Sequence, residues 1–169
     1  MGKFGMNSES VNDPYGKLRP LPPTPDEDVC HCAACRCVML RDTLTENPLQ
    51  CVECNGEVAP ERLGFSERLA KEIANWRGIS RSLFLLWLDS SEYAEWAAEK
   101  LLDRNGTVNV RGRELVDQLN QFVQAYYWWF KDTELDDPLM PTTCPNCGAA
   151  LDPFEGRDFQ KCDACSILV

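Results

Sequence analysis

The apolar positions in the middle of the chain repeat with helical spacing. Phe65, Leu69, Ile73 and Trp76 follow one another at intervals of four, four and three residues, which puts them on one stripe of a helix. Gly78 is predicted to end it, because glycine readily takes the backbone of a C-terminal cap. The continuous apolar run over 83–88 suits a buried core element. Asp89 with Glu92 three residues later has the form of a capping box, and the helix it predicts turns Tyr93, Trp96, Ala97 and Leu101 inward. Asn105-Gly106 is a turn. Leu115, Leu119, Phe122, Val123 and Tyr126 form a further helical stripe that runs on into Tyr127-Trp128-Trp129-Phe130.

Outside this middle the pattern changes. Residues 1–28 carry Pro14, Pro20, Pro22, Pro23 and Pro25 among polar residues, with too few apolar groups to offset the entropy of ordering, and predict a disordered tail. Val38, Met39 and Leu40 read as a strand, and Asn55-Gly56 as a tight turn. Residues 132–141 hold Asp132, Glu134, Asp136, Asp137, Pro138 and Pro141 and predict an acidic linker.

Cysteine spacing gives the chain its chemistry. Cys144 and Cys147 form one Cys-x-x-Cys pair and Cys162 and Cys165 another, with turn formers Gly148, Asp152, Pro153 and Gly156 between them. Such a turn points two thiolates at one centre, and two of them complete the tetrahedron of a structural zinc ion. Two structural disulfides, or four buried thiols, are the plainer alternatives. Upstream, Cys32/Cys35 and Cys51/Cys54 repeat the arrangement, with an intervening loop in the zinc-ribbon range. Cys30, His31 and Cys37 are left over; each could replace a nominal ligand, since neutral His is a good zinc donor, or be structural. The expected metal ligands are therefore Cys32, Cys35, Cys51 and Cys54 for one Zn²⁺, and Cys144, Cys147, Cys162 and Cys165 for a second.

The architecture that follows is an α+β protein: a mainly helical core over 61–131, flanked by two small zinc-ribbon-like β modules at 29–60 and 142–169, with the tail and the linker outside them. The chain of 169 residues is long enough for this, and no N-terminal apolar segment or membrane-spanning run is present, so a cytoplasmic location with reduced thiols is expected.

Charge narrows the choice of partner. Against 17 basic side chains there are 27 acidic ones, a net −10. Each zinc held by four cysteinates carries a further net −2, so two would take the folded chain to about −14. That opposes binding to a bare phosphate backbone, where affinity comes from Lys and Arg displacing counterions. The aromatic run 126–130 would serve as a base-stacking platform, but core packing explains it better: each ring buries about 150–250 Å², and Lys131 is the basic residue beside it.

A set of motifs resembles one family. Pro48-Leu-Gln-Cys51-Val-Glu-Cys54-Asn-Gly56-Glu-Val58, Leu86-Trp-Leu-Asp-Ser-Ser-Glu-Tyr93 with Trp96-Ala97, Asn120 ahead of 126–130, and the terminal Cys-Pro-x-Cys-Gly knuckle resemble bacterial zinc-ribbon proteins with a suggested nucleic-acid-binding role, a domain family of unknown function. The similarity spans roughly 38–169. It implies that Cys51, Cys54, Cys144, Cys147, Cys162 and Cys165 are motif cysteines, and it implies no catalytic residue.

Three functions remain to be weighed. The first is a non-catalytic zinc protein that recruits a protein partner. Its support is the acidic balance, a single His placed among cysteines, and glycines without phosphate-loop or dinucleotide spacing. The second is nucleic-acid binding through a ribbon, with Arg77, Arg81, Arg104, Arg111 and Arg113 as the cations that would converge. The third is redox or metal-sensing chemistry at Cys144-Pro-Asn-Cys147, which lacks the βαβ context of a dithiol active site. No small-molecule substrate is expected.

Overall fold

The computed structural model describes residue 15 and residues 24–42, 47–132 and 141–169. Of the tail expected over 1–28, all but residues 15 and 24–28 lie outside the described residues, and so do residues 133–140 of the expected linker. The chain runs through strands β1 (Cys37–Leu40) and β2 (Leu49–Cys51), then helices α1 (Glu67–Asp89), α2 (Ala94–Leu102) and α3 (Thr107–Leu119). Strands β3 (Gln124–Trp128), β4 (Asp152–Pro153), β5 (Gln160–Cys162) and β6 (Ile167–Leu168) follow. All six strands form one mixed sheet in the order β2-β1-β3-β6-β5-β4, so the protein is α+β. Its two cysteine regions lie on either side of the helical middle in sequence, yet their strands share that sheet. The central strand β3 joins them, parallel to β1 on one side and to β6 on the other.

That central strand departs from the expected helical stripe. Helix α3 stops at Leu119. Asn120 then closes the turn, its Oδ1 accepting from the Ala125 amide at 2.8 Å and its Nδ2 donating to the Ala125 carbonyl at 3.1 Å. Beyond it the aromatic run favours an extended backbone, and its residues alternate between faces as a strand requires. Val38, Leu40, Ala125, Tyr127 and Trp129 pack with the buried side chains of α1 and α3, among them Ile73, Trp76 and Leu115. Cys37, Met39 and Tyr126 point the other way and cluster with Val52, Phe159 and Leu168. Most of the aromatic run is core, as expected; Trp128 and Phe130 are only half buried.

Gly78 does not end the first helix. Helix α1 continues for 23 residues, because its second half packs Leu83, Phe84 and Trp87 around Ala97 and Leu101 of α2. A helical Gly costs about 1 kcal/mol relative to Ala, less than the roughly 1.5–3 kcal/mol from burying a large apolar side chain. The cap that starts α1 is Ser66, whose Oγ accepts from the Leu69 amide at 3.2 Å. Nor does Asp89 cap α2: it is the last residue of α1, and Ser90 Oγ accepts from the Tyr93 amide instead. The pitch of α2 turns Ala97 and Leu101 inward but leaves Tyr93 and Trp96 about half exposed, at 50% and 47%.

Buried polar groups tie the layers together. Trp76 Nε1 donates to the Val108 carbonyl, and Tyr127 donates its hydroxyl to Asn109 Oδ1 at 2.8 Å. Asn109 Nδ2 in turn donates to the carbonyls of Leu101 and Asp103. One asparagine thus satisfies the end of α2 and orients the central strand, tying the sheet to the helices without either cysteine group. Among the described residues no helix is long and apolar enough to cross a membrane.

Candidate metal centres

Two groups of four cysteines emerge from this sheet, and within each the four sulfurs all lie within 4.8 Å of one another. The C-terminal group comprises Cys144, Cys147, Cys162 and Cys165, the four the sequence pairs. Its first knuckle is closed by the Cys144 amide donating to the Ala149 carbonyl at 2.7 Å and the Gly148 amide donating to the Cys144 carbonyl at 2.8 Å. Gly148 has φ +77°, the left-handed backbone that favours glycine. Cys162 ends β5, and a 3-10 turn over Asp163–Cys165 brings Cys165 back beside it. Helix α3 braces the knuckle from outside: Arg113 donates to Asn146 Oδ1, and Asn146 Nδ2 donates to Cys165 Sγ at 3.3 Å.

The N-terminal group comprises Cys30, Cys32, Cys51 and Cys54. This group differs from the expected set by one residue: Cys30 stands where Cys35 was expected. The cause is a backbone contact far from either residue's local spacing. Val29 bridges Glu57 in parallel, the Cys30 amide donates to the Glu57 carbonyl at 2.8 Å, and the Glu57 amide donates to the Asp28 carbonyl at 2.7 Å. Gly56 is the point of contact, since a Cβ there would lie 2.7 Å from the Cys30 nitrogen. This approach delivers Cys30 to the Cys51/Cys54 knuckle. Arg62 then clamps the loop, donating to the carbonyls of Cys30 and Cys32 at 2.6 and 2.5 Å. Cys35 is not one of the four mutually close sulfurs but lies beside them: its Sγ is 3.8 Å from the Cys37 carbonyl, and burial together with the Cys51 sulfur pushes its thiol up to about 12. Cys37 is a buried thiol on the outer face of the sheet, and His31 places Nε2 2.7 Å from the Asp26 carbonyl. Of the three residues the sequence leaves over, Cys30 alone joins the metal group. The signal that could have found it is the glycine following the Cys51/Cys54 knuckle, which permits a second backbone to approach.

Sulfur geometry distinguishes the chemical alternatives. All ten cysteines are free. Cys32 and Cys51 Sγ are 4.0 Å apart, and Cys147 and Cys162 Sγ 3.8 Å apart. A disulfide needs about 2.05 Å. A tetrahedron of sulfurs at about 2.3 Å from a central zinc has edges of about 3.8 Å, close to the separation of these two pairs. Each group also buries two of its sulfur-bearing residues, half-buries one and exposes one, placing both sites at the surface of the sheet.

Electrostatics point the same way. Burial, together with neighbouring sulfurs, pushes Cys162 up to about 12, and the sulfurs of Cys54 and Cys30 together with desolvation do the same to Cys32. In each group one thiol moves the other way. The Ala149 amide and the sulfurs of Cys165 and Cys144 bring Cys147 down to about 7. Cys30 is raised by burial, but the Cys32 amide and the Cys54 and Cys51 thiols outweigh this and bring it to about 7. One thiolate forms readily in each group while Cys32 and Cys54, and Cys162 and Cys165, resist ionisation, because like charges cannot share so small a volume without a cation. A divalent metal reverses that balance by deprotonating the thiols it binds.

The arginines expected to converge on nucleic acid are instead occupied in the fold. Arg111 pairs with Glu72 and Glu114, Arg113 donates to Asn146, Arg104 donates to the Asn146 carbonyl, and Arg77 and Arg81 face Asp42. The fold and sites together define a mixed-sheet α+β protein with two tetrathiolate groups capable of holding metal. Comparison with family models finds no match for this chain, and searches of curated proteins and of solved structures likewise find none.

Proposed function

We propose that both cysteine groups are structural zinc sites and that the protein is a non-catalytic interaction module that recruits a protein partner. The observation that carries this reading is the completeness of each set. Four convergent sulfurs fill the tetrahedron zinc prefers and leave no position for the water or substrate that a catalytic zinc keeps open. Zinc rather than a harder cation follows from the all-thiolate donors. The ions lock short elements, with β4 only two residues long, that bury little apolar surface of their own. The same completeness weighs against redox chemistry at Cys144 and Cys147, whose sulfurs are committed to a metal.

The partner is read from the helical side. Leu85 and Leu88 near the end of α1, and Tyr93 and Trp96 at the start of α2, are large apolar side chains left exposed beside the cluster that Trp87 forms with Ala97, Ala98 and Leu101. Aromatic residues of this kind are enriched at protein interfaces. The test is affinity capture of the zinc-loaded chain from native lysate, compared with a Tyr93→Ser/Trp96→Ser variant. A stoichiometric protein that survives nuclease treatment and is lost with the variant is the expected result. A partner removed by nuclease would instead favour the nucleic-acid reading suggested by the resemblance to zinc-ribbon proteins.

A further inference from the structure

Strands β1 and β3 run parallel and end side by side, with Leu40 registered against Tyr127. The residues that follow, Arg41 from β1 and Trp128 to Lys131 from β3, therefore emerge together at the carboxyl ends of two parallel strands. The loop between β4 and β5 folds across from them and brings in Arg157 and Phe159. A cleft of about 460 Å³ opens between these segments, lined by Arg41, Asn55, Trp128, Lys131, Arg157 and Asp158. That volume falls within the roughly 300–1,000 Å³ of small-ligand sites.

The floor of the cleft is aromatic and its walls are cationic. The Arg41 guanidinium lies 4.3 Å from the centre of the Trp128 ring, and Lys131 Nζ lies 5.3 Å from the same ring. Arg157 lies 5.2 Å from the Phe159 ring, which meets Trp128 edge to face at 5.5 Å. Arg157 is further anchored by donating to the Glu53 carbonyl and to Asn55 Oδ1, so it is positioned in advance of any ligand. Among the described residues, the Arg41 guanidinium makes no side-chain hydrogen bond. Stacking on a ring uses its face and leaves its in-plane donors for an oxyanion. Burial disfavours the charged forms of both Arg41 and Lys131, and Arg41 adds to the effect on Lys131. Arg41, Lys131 and Arg157 line the cleft with one carboxylate, Asp158, in a chain whose net charge is −10. An anion entering the cleft would offset the desolvation of Arg41 and its repulsion of Lys131.

We propose that this cleft binds the phosphate group of a small phosphorylated molecule. A phosphate dianion matches the bidentate geometry that the in-plane donors of Arg41 offer. A small ligand rather than a nucleic-acid strand is indicated because the cationic surface is confined to one cleft, while the field of the remaining chain repels an extended polyanion. The site is built from both cysteine regions and the central strand, so it exists only when the whole sheet is assembled. It is separate from the exposed apolar residues of α1 and α2 and does not depend on their having a partner.

The test is calorimetric titration of the full zinc-loaded chain at low ionic strength with inorganic phosphate, adenosine monophosphate and a single-stranded 20-nucleotide DNA. One-to-one binding of the monophosphate is expected, weakened at least tenfold by Arg41→Gln and unchanged by Lys71→Gln, which lies on α1 away from the cleft. Lys131→Gln serves as a second cleft variant should Arg41→Gln lose its zinc. Tighter binding of the monophosphate than of inorganic phosphate assigns the site to a phosphate ester, and equal binding assigns it to free phosphate; both uphold the proposal. No saturable binding of either at millimolar concentration would overturn it. So would binding insensitive to both cleft variants with zinc retained, or tighter binding of the DNA than of the monophosphate.

Discussion

The C-terminal cysteine group joins two Cys-x-x-Cys knuckles within residues 144–165, whereas the N-terminal group joins one such knuckle to Cys30 and Cys32, which have a single residue between them. Both reach the same spread of sulfurs and the same pattern of burial. The C-terminal group does so locally: its closing hydrogen bonds run between residues a few positions apart, and the hairpin of β5 and β6 carries the second knuckle. The N-terminal group depends on a distant contact, the approach of residues 28–30 to residues 56–57, and on Arg62 reaching back to hold the loop. A metal site whose ligands are near in sequence needs only turns, while one assembled across the fold needs the fold first. The N-terminal site is therefore the one that backbone changes should break selectively.

The largest contrast is expected from cysteine replacement. Cys30→Ser should leave one zinc per chain by native mass spectrometry and cost several kcal/mol, given that structural zinc sites contribute on the order of 10 kcal/mol of apparent binding free energy. Cys35→Ser should retain two ions. If Cys35→Ser loses an ion and Cys30→Ser does not, the assignment of the N-terminal group is overturned. Gly56→Ala comes next. It forces the Cys30 backbone away, and should cost about 2 kcal/mol or more while releasing the N-terminal ion to chelator first. Gly148→Ala has open space around it and meets only the left-handed strain of about 1–2 kcal/mol. Equal metal loss from both sites in Gly56→Ala would contradict the distinction drawn between them.

A smaller difference should appear in pH dependence, because a buried carboxylate follows β1. Burial raises Asp42 to about 6, with Arg77 and Arg81 acting in the opposite direction. Since the folded value lies above the unfolded one, near 3.9, the ionised group opposes folding above pH 6, and this penalty fades as pH falls through 6 toward 4. Asp42→Asn should stabilise the protein by about 2 kcal/mol at pH 8, with the gain shrinking steadily by pH 4.5 in urea unfolding. A gain independent of pH would show that the charge is not its cause. The smallest effect belongs to Gly78→Ala, which has open space in a continuous helix and should add about 0.5–1 kcal/mol without altering metal affinity at either site.

Much of the C-terminal site could be read from the chain because its determinants are local. Two Cys-x-x-Cys units, a glycine suited to positive φ and a short hairpin leave few other arrangements. Val38 to Leu40 as a strand and the stripe from Phe65 to Trp76 as a buried helical face were legible for the same reason. What escaped the sequence depended on tertiary contacts. Gly78 has the form of a helix end, but the packing of Trp87 on α2 carries the helix past it. Tyr126 falls in register with the stripe of α3, yet the open place between β1 and β6 makes its segment a strand. Cys35 has the better spacing, and Cys30 is brought to the site by a backbone contact that spacing does not encode. Trp128 resembled its buried neighbours until the sheet placed Arg41 and the loop bearing Arg157 around it.

We propose that two separate all-sulfur metal sites hold this sheet at its two sides, one of them through Cys30. Cadmium-113 NMR of the metal-exchanged chain tests it most directly. Two resonances in the tetrathiolate region are predicted, one disappearing in Cys30→Ser and the other in Cys162→Ser. A single resonance, or one shifted to the mixed nitrogen–sulfur region that His31 ligation would give, would contradict it.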